Sequence, residues 1–441
     1  MEHTRFHYQT IEDLQAEMRL VGADFPLSDR TDLLGKPVQV GTHTIANRLM
    51  IQPMEGCDST PDYRPGEWML RRYHRFAESG AGLIWVEATA ITPEARATPG
   101  QMVIRKDTLD SLKSLTEMIR ETAHRSTGTV PLLILQATHS GRYSKPNGYP
   151  EPIIAYHNPI FEKDKPIVDT AIISDDRLKE LEELYGEAAH LAEEAGFDGV
   201  DIKACHRYLN CELLSAYTRD GEYGGSFENR TRFFRNAYAN AKANVGDDFI
   251  VTSRMNIYDG FPYPYGFGVT EESGLQPVMD EPIKLIGILK DMGLQMLDIT
   301  LGNPYVNPHV NRPYDNGGYV PPEHPLEGIN RIYQCTSKVA DAYPDLPIVF
   351  SGPSYLRHYA ANYAAGIVKN HPNALVGFGR EGFAYPDFAK DILRDGAMDP
   401  KKCCIACGKC AELLRGCFPA GCVVRDPAYL PIYRKNILGK E

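Results

Sequence analysis

The sequence contains no run of eighteen apolar residues, so it predicts no membrane-spanning helix. Its first twenty residues are polar and include acids, and they lack the apolar core of a secretory signal. Positive charge is also scarce, because 47 Lys and Arg residues face 58 Asp and Glu residues and the net charge is −11. Nucleic-acid binding needs a basic surface. These absences predict a globular protein with neither a membrane nor a nucleic acid as a partner.

Ten cysteines are present, but their distribution does not fit a framework of disulfide bonds. Six of them lie between positions 403 and 422, and the other four are scattered along the chain. Dense clustering in a chain without a secretory signal is typical of a metal site in a reducing compartment. We therefore expect a cytoplasmic protein with a metal site near its C-terminus.

Short, continuous apolar runs recur along most of this long chain. Runs of this length without polar alternation indicate strands that are buried on both faces, as in a parallel sheet. Most gaps between them carry amphipathic helical patterns, for example 181–196 and 283–293. The eight runs cover 48–54, 82–91, 131–139, 197–206, 249–257, 295–302, 347–352 and 374–380.

Eight β-then-α units predict an α/β fold, a closed (β/α)8 TIM barrel, with a doubly wound open sheet as the alternative. We expect the barrel to span 34–395, after a helical extension over 1–33 in which Thr10 caps a short helix. A metal-binding extension over 396–441 would follow. Loops on the catalytic face of a barrel carry function. Three long loops rich in Pro, Gly and Tyr follow strands, at 140–174, 258–280 and 303–325.

Polar side chains collect at the carboxyl ends of the predicted strands. The fourth strand ends at Lys203, His206 and Tyr208, three proton-capable groups within six residues. Such groups cost burial energy unless they have partners or a task. In a barrel, polar residues on this rim favour a functional site over a structural role. Other residues of this kind are Glu55, Gln136, His139 and Arg254.

Four segments together resemble the Old yellow enzyme family of FMN-dependent ene-reductases. Within that family, the chain is most similar to the iron–sulfur branch that contains 2,4-dienoyl-CoA reductase and trimethylamine dehydrogenase. The resemblance runs from about Leu34 to Cys422. The segments are PVQVGTHTIANRLMIQPM (37–54), LILQATHSGRY (133–143), EYGGSFENRTRF (222–233) and GFGREGFAYPDF (377–388).

The last segment also contains GFGREG, which matches the dinucleotide-binding pattern G-x-G-x-x-G. No further βαβ unit follows it, so we expect no nicotinamide-binding module of the kind that larger family members carry.

The resemblance implies an FMN site on the rim of the barrel. Arg254 would place a positive charge near flavin N1, where charge develops on reduction. Gln136 would bond the pyrimidine edge, and the phosphate would lie against backbone N–H groups after strands seven and eight. The residues implied to contact the flavin are Pro53, Met54, Glu55, Ala88, Gln136, Arg254, Ser351, Gly352, Gly379 and Arg380.

The resemblance also implies a mechanism for strand four. Lys203 and His206 would polarise a substrate carbonyl, flavin N5 would deliver hydride to the β-carbon, and Tyr208 would protonate the α-carbon. Three positions depart from the family pattern. Lys203 replaces a His, Arg207 replaces a Gly, and Glu55 stands where a small or neutral residue is usual; it would face away or pair with Lys203.

The C-terminal cysteines have the spacing Cys404-x2-Cys407-x2-Cys410-x11-Cys422. Three thiolates on one loop and a fourth after a short helix can enclose a [4Fe–4S] cluster, whereas zinc sites more often pair two C-x2-C segments. The spacing resembles the cluster loop of the iron–sulfur branch. Cys403 and Cys417 fall outside this register, although Cys403 could replace Cys404.

The leading hypothesis is an FMN- and [4Fe–4S]-dependent ene-reductase of anaerobic metabolism. It would reduce the C=C bond of an α,β-unsaturated carbonyl compound, and its Tyr-rich loops favour planar enones such as flavones, steroids or tetrapyrroles. Electrons would come from NADH or NADPH, or from a ferredoxin, a flavodoxin or a separate reductase. The alternatives are an amine dehydrogenase similar to trimethylamine dehydrogenase and an electron-transfer subunit.

Overall fold

A computed structural model describes residues 5–440 and contains a closed, eight-stranded parallel barrel. The barrel closes where its last strand (Leu375–Phe378) pairs with its first (Leu49–Ile51), with Gly377 opposite Met50. The predicted barrel is confirmed, and the alternative open sheet is wrong. All eight predicted apolar runs form barrel strands: β3 (Leu49–Ile51), β4 (Leu83–Ala90), β5 (Leu132–Thr138), β6 (Gly199–Ile202), β7 (Ile250–Asn256), β8 (Leu297–Thr300), β9 (Ile348–Phe350) and β10 (Leu375–Phe378).

The long helices between the strands surround the barrel and bury an apolar stripe. In α5 (Asp175–Glu194), Ser174 caps the first turn by accepting a hydrogen bond from Arg177 N at 3.1 Å, and Gly196 follows the last turn with a φ of 82°. The α-helices are α1 (Ile11–Leu20), α2 (Glu67–Ala77), α3 (Leu109–Thr127), α4 (Pro159–Glu162), α5 (Asp175–Glu194), α6 (Leu209–Leu213), α7 (Phe227–Arg230), α8 (Arg232–Ala243), α9 (Asp280–Asp291), α10 (Pro308–Asn311), α11 (Pro325–Ala342), α12 (Ala360–Asn370), α13 (Arg380–Ala384), α14 (Phe388–Asp395), α15 (Lys409–Arg415) and α16 (Tyr429–Asn436).

The N-terminal end of the barrel is closed by a hairpin that the sequence did not predict. Strands β1 (Val38–Val40) and β2 (His43–Ile45) pair antiparallel. Their inward side chains join a buried cluster with residues of the barrel interior such as Trp85 and Met296. This apolar plug leaves the opposite, C-terminal end of the barrel as the open one.

The two extensions both pack on the barrel. Helix α1 is capped by Thr10, which accepts a hydrogen bond from Asp13 N at 3.1 Å, as predicted. In the C-terminal extension, Asp426 is 2% exposed and forms an ion pair with Arg71 of α2 at 2.8 Å. Within residues 5–440, no helix combines the length and the apolarity needed to cross a bilayer. The domain boundaries at 33 and 396 stay a prediction.

Candidate active site

One large cavity of about 1150 Å³ opens at the C-terminal ends of the barrel strands. This is the end of a barrel at which catalytic groups are found, because loops from several strands meet there. Every residue predicted to contact flavin or substrate lines it, except Ala88: Pro53, Met54, Glu55, Gln136, Lys203, His206, Tyr208, Arg254, Ser351, Gly352, Gly379 and Arg380.

The backbone after β6 turns sharply to aim its side chains at this cavity. His206 and Arg207 both have a positive φ, 63° and 60°, a conformation that non-glycine residues rarely adopt. Arg207 does not line the cavity. Its guanidinium is fully buried and pairs with Asp259 at 2.8 Å, while its Nη2 donates to Tyr156 OH at 3.1 Å. The ion pair holds this strained turn in place. This is the physical role of Arg207, one of the three positions that depart from the family pattern.

Glu55 lines the cavity beside Lys203, His206 and Tyr208, at the end predicted to hold the substrate. Its Oε1 accepts a hydrogen bond from Lys203 Nζ at 3.2 Å and another from Tyr208 OH at 3.1 Å. The Lys203 ammonium also lies 3.8 Å from the centre of the Tyr208 ring. Of the two arrangements predicted for Glu55, pairing with Lys203 is the one observed. Burial and the Glu55 carboxylate raise the pKa of Tyr208 well above its usual value, so the phenol keeps its proton.

Two further tyrosines extend this group into an aromatic wall. The rings of Tyr143 and Tyr305 stack with their centres 4.0 Å apart, and Tyr305 OH lies 3.0 Å from Tyr208 OH. Asn303 fixes both tyrosines, since it donates to Tyr143 OH at 2.8 Å and accepts from Tyr305 N at 2.7 Å. The sequence placed these tyrosines in loops predicted to wall the site but did not single them out. A planar ligand fits such a wall.

His206 presents a neutral imidazole to the cavity. Burial, followed by the charges of Arg254, Lys203 and Arg312, lowers its pKa well below the usual value. Its Nε2 atom is buried and has no hydrogen-bond partner within residues 5–440. Buried polar atoms of a protein core normally have hydrogen-bond partners. A polar atom that has none and faces a cavity is therefore suited to bind a ligand group.

The strand ends at the barrel centre carry a polar network. Gln136 donates to Asp201 at 2.6 Å, and Trp85 Nε1 donates to the same carboxylate oxygen at 2.9 Å. Arg254 forms an ion pair with Asp298, in which Nε lies 3.0 Å from Oδ2 without the direction of a hydrogen bond. Burial raises the pKa of Asp201 to about 6 and that of Asp298 to about 7. Gln136 and Arg254 therefore line the cavity with buried side chains that neighbouring carboxylates hold in place. A flavin ring needs fixed polar groups of this kind to orient it.

Two arginines make part of the cavity suited to an anion. Arg380 and Arg312 line it, and neither forms an ion pair with a carboxylate in the part of the chain that the structure describes. Burial and then the neighbouring Arg380 charge lower the pKa of Arg312 to about 10. Gly379 also keeps this wall open, because a Cβ there would lie 3.1 Å from Met54 Sδ. Two guanidinium groups without an acidic partner fit a phosphate group.

Several predicted residues lie away from the cavity. Ala88 is fully buried in β4, where the register with β5 shifts, and its carbonyl accepts a hydrogen bond from Gln101 at 2.9 Å. His139 is also buried, and its Nδ1 accepts from Gly141 N at 3.1 Å. The loop 258–280 contributes nothing to the cavity lining, whereas the other two long loops do.

The four predicted cluster ligands line one small cavity of about 20 Å³. Arg380 borders both this cavity and the large one. Cys410 contributes to both cavities as well. Within residues 5–440, no three His, Cys, Asp or Glu side chains converge closely enough to hold a single metal ion. In a cubane, each thiolate binds a different iron, so a cluster needs four thiolates around a shared space. The four are Cys404, Cys407, Cys410 and Cys422.

The other two cysteines of this segment behave differently. Cys403 is buried, and its Sγ contacts the Asp399 carbonyl at 3.3 Å. Cys417 lines the large cavity instead of the small one. The structure therefore separates the predicted ligands from both neighbours.

The C-terminal extension also contacts the loop that carries Glu55. Ala420 N donates to Gly56 O at 2.8 Å, and Gly56 N donates to Glu87 at 2.8 Å. A side chain at Gly56 has no room, because its Cβ would lie 2.1 Å from the buried Arg72 guanidinium. The backbone next to Glu55 is thus fixed from both sides, which holds its carboxylate in place.

The fold and the site define a flavin-dependent oxidoreductase of the TIM-barrel class. The chain belongs to the NADH:flavin oxidoreductase / NADH oxidase family, whose sequence model matches residues 33–396. This confirms the predicted resemblance to the Old yellow enzymes. Membership implies a flavin cofactor and a nicotinamide donor, while the iron–sulfur cluster stays a prediction.

Among curated proteins, an NADPH dehydrogenase of Halalkalibacterium halodurans is 30% identical over 265 residues, which are 59% of this chain and 70% of that protein. A cinnamate reductase of Clostridium sporogenes is 26% identical over 416 residues, or 91% of this chain and 58% of that protein. Among solved structures, a 2-naphthoyl-CoA reductase bound to 2-naphthoyl-CoA superposes with a TM-score of 0.71 at 21% identity, over 91% of this chain and 59% of that chain. The chain therefore spans less than two thirds of these last two proteins.

Proposed function

We propose that this protein is an FMN- and [4Fe–4S]-dependent ene-reductase that reduces the C=C bond of a planar α,β-unsaturated carbonyl compound. The observation that carries the proposal is the convergence of Lys203, His206 and Tyr208 on one cavity with the residues suited to a flavin. A polarising group for the carbonyl and a proton donor for the α-carbon are what this reaction requires of the protein.

Each side chain would have one task at the substrate. When bound, the flavin would supply hydride for the β-carbon. His206 and the Lys203 ammonium would donate hydrogen bonds to the carbonyl oxygen, where negative charge develops. Tyr208, kept protonated by burial beside Glu55, would transfer its phenol proton to the α-carbon. The stacked rings of Tyr143 and Tyr305 would position the flat part of the substrate and exclude water.

The cysteine segment would bring electrons to this site one at a time. Cys410 borders both the small cysteine-lined cavity and the large cavity, so a cluster held there would lie next to the cavity proposed to hold the flavin. The resident cluster would accept single electrons from a ferredoxin, a flavodoxin or a separate reductase, whereas NADH or NADPH would act at the flavin itself. We infer that such a protein acts in the cytoplasm under anaerobic conditions, because a reducing compartment keeps the cysteine thiols available as cluster ligands.

The amine dehydrogenase alternative has an observation against it. An amine substrate needs a carboxylate and aromatic faces to hold its cation. Glu55 and the Tyr208 ring supply such a place, but the ammonium of Lys203 fills it, at 3.2 Å and 3.8 Å. The electron-transfer alternative does not require a substrate cavity of this size with proton-donating groups inside it.

Product analysis tests the proposal. The protein, reconstituted anaerobically with FMN, iron and sulfide, is incubated in D2O with NADPH or dithionite and with cyclohex-2-enone or a flavone. We expect the saturated ketone, with solvent deuterium at the α-carbon, because the α-proton would come from exchangeable Tyr208. Unchanged enone together with oxidation of a supplied amine would refute ene-reduction and favour the amine dehydrogenase.

A further inference from the structure

The charges at the substrate end of the cavity are balanced within the protein. Lys203 is 1% exposed, and within residues 5–440 its carboxylate partner is Glu55, 14% exposed, at 3.2 Å. The other two groups here, His206 and Tyr208, are held neutral by burial, which lowers the pKa of the imidazole and raises that of the phenol. The charges of these four side chains therefore cancel.

Two other cations affect this end of the cavity, because the charges of Arg254 and Arg312 help to lower the pKa of His206. Arg254 is paired with Asp298 at 3.0 Å. Arg312 lines the cavity together with Arg380, and a flavin phosphate held by these two guanidinium groups would balance their charge. Lys203 is therefore the cation whose availability to a substrate depends on Glu55.

We propose that Glu55 makes this site selective for unsaturated compounds with a neutral carbonyl group, such as ketones, aldehydes, esters and amides, over the corresponding carboxylates. Glu55 does so by holding the Lys203 ammonium in an internal ion pair. A neutral carbonyl accepts hydrogen bonds from Lys203 and His206 while that pair stays intact. The inference rests on the proposed function, because it assumes that the carbonyl binds at this end.

A carboxylate has no equivalent way to bind. It would take Lys203 from Glu55 and leave that carboxylate, 14% exposed, without its cation, or it would lie beside Glu55 and be repelled by a like charge. In either arrangement, the site would disfavour the carboxylate through an unfavourable interaction, and not merely because a favourable contact is missing. This selectivity would distinguish the chain from its 26% identical relative, which is named for the reduction of cinnamate, a carboxylate.

Binding of two ligands of the same shape tests the proposal. trans-Cinnamamide and trans-cinnamate differ in the group on the carbonyl carbon, NH2 or O⁻. Their dissociation constants are measured by calorimetry on the oxidised, FMN-loaded protein. We expect the wild type to bind the amide at least ~10-fold more tightly than the acid. In Glu55→Gln, Lys203 loses its partner, and the ratio should shift toward cinnamate by ~100-fold.

Two further variants make the result specific. Glu151 also lines the cavity but pairs with Asn147 instead of Lys203, so Glu151→Gln changes the charge equally and should leave the ratio unchanged. Lys203→Gln leaves Glu55 without its cation but keeps an N–H donor for the carbonyl oxygen. It should weaken cinnamate binding by a further ~10-fold and amide binding by much less. This variant decides the matter if Glu55→Gln does not fold.

Four results would overturn the inference: equal binding of both ligands by the wild type, binding of neither, equal shifts in the Glu55→Gln and Glu151→Gln variants, or unchanged cinnamate binding in Lys203→Gln. Because binding is read without turnover, the proposed function can fail separately. Selective amide binding without reduction of any neutral enone would refute ene-reduction and leave the selectivity standing.

Discussion

Arg207 offers a prediction whose magnitude follows from the structure. Its guanidinium and the Asp259 carboxylate are both 0% exposed and lie 2.8 Å apart. Removing one member of a buried ion pair costs about 3–5 kcal/mol, because the other charge stays buried. Asp259 keeps hydrogen bonds from Asn256 at 2.6 Å and Phe267 N at 2.8 Å, so the lower part of this range is expected. Arg207→Ala should therefore lower the free energy of unfolding by about 3 kcal/mol.

Glycine at the same position separates the ion pair from the backbone strain. The φ of 60° at Arg207 disfavours any residue with a Cβ by about 1–2 kcal/mol. Arg207→Gly loses the same ion pair but relieves this strain, so it should be about 1–2 kcal/mol more stable than Arg207→Ala. Equilibrium urea unfolding of the flavin-loaded proteins, followed by circular dichroism, measures both differences. A glycine variant less stable than the alanine variant, or two variants as stable as the wild type, would refute this account of the turn.

Three further predictions concern other parts of the site. Tyr208→Phe should lower enone reduction by about 10²–10⁴-fold while flavin reduction by dithionite stays unchanged; equal turnover would remove Tyr208 as the proton donor. Burial lowers the pKa of His139 to about 4, so its stabilising contribution is complete above its ordinary pKa of 6.5 and is lost as the pH falls. The wild type should lose about 1.4 kcal/mol more stability than His139→Gln between pH 7.5 and pH 5.5, and equal losses in urea titrations would contradict the lowered pKa. Cys404→Ser should abolish the content of about four irons per reconstituted chain, whereas Cys403→Ser should retain it; the reverse pattern would exchange the two ligands.

The barrel could be predicted from the sequence because its signal is local and repeated. Buried parallel strands appear as continuous apolar runs, and each of the eight runs became a strand. The hairpin β1–β2 was missed because its strands have three residues each, and Val38 and Val40 bury their side chains only through contact with the barrel interior. Short strands carry too little pattern to be distinguished from a loop.

Residue types alone were enough to predict some side chains of the site. They were not enough for contacts that depend on how the strand ends are positioned relative to one another. Lys203, His206 and Tyr208 stand out in the sequence as polar groups after an apolar strand. The contact between Glu55 and Lys203 joins the ends of β3 and β6, which are not neighbours in the barrel, so sequence spacing left two arrangements open. Ala88 lies outside the cavity because of a register shift within β4, a feature without a sequence signature.

Loop residues showed the same limit. Tyr305 reaches the site because Asn303 bonds its backbone at 2.7 Å and turns the loop inward. The loop 258–280 has the same Pro, Gly and Tyr-rich composition, yet its Phe267 N binds the buried Asp259 and the loop does not line the cavity. Composition predicted which loops are long, but individual hydrogen bonds determine which loops line the site.

The most direct test of the central claim is an anaerobic visible spectrum of the reconstituted protein, recorded before and after NADPH and again after addition of a cyclic enone or a flavone. The account predicts flavin absorption bands that bleach on reduction and return when the enone is added. Absence of flavin bands, or a reduced flavin that no neutral enone reoxidises, would contradict it.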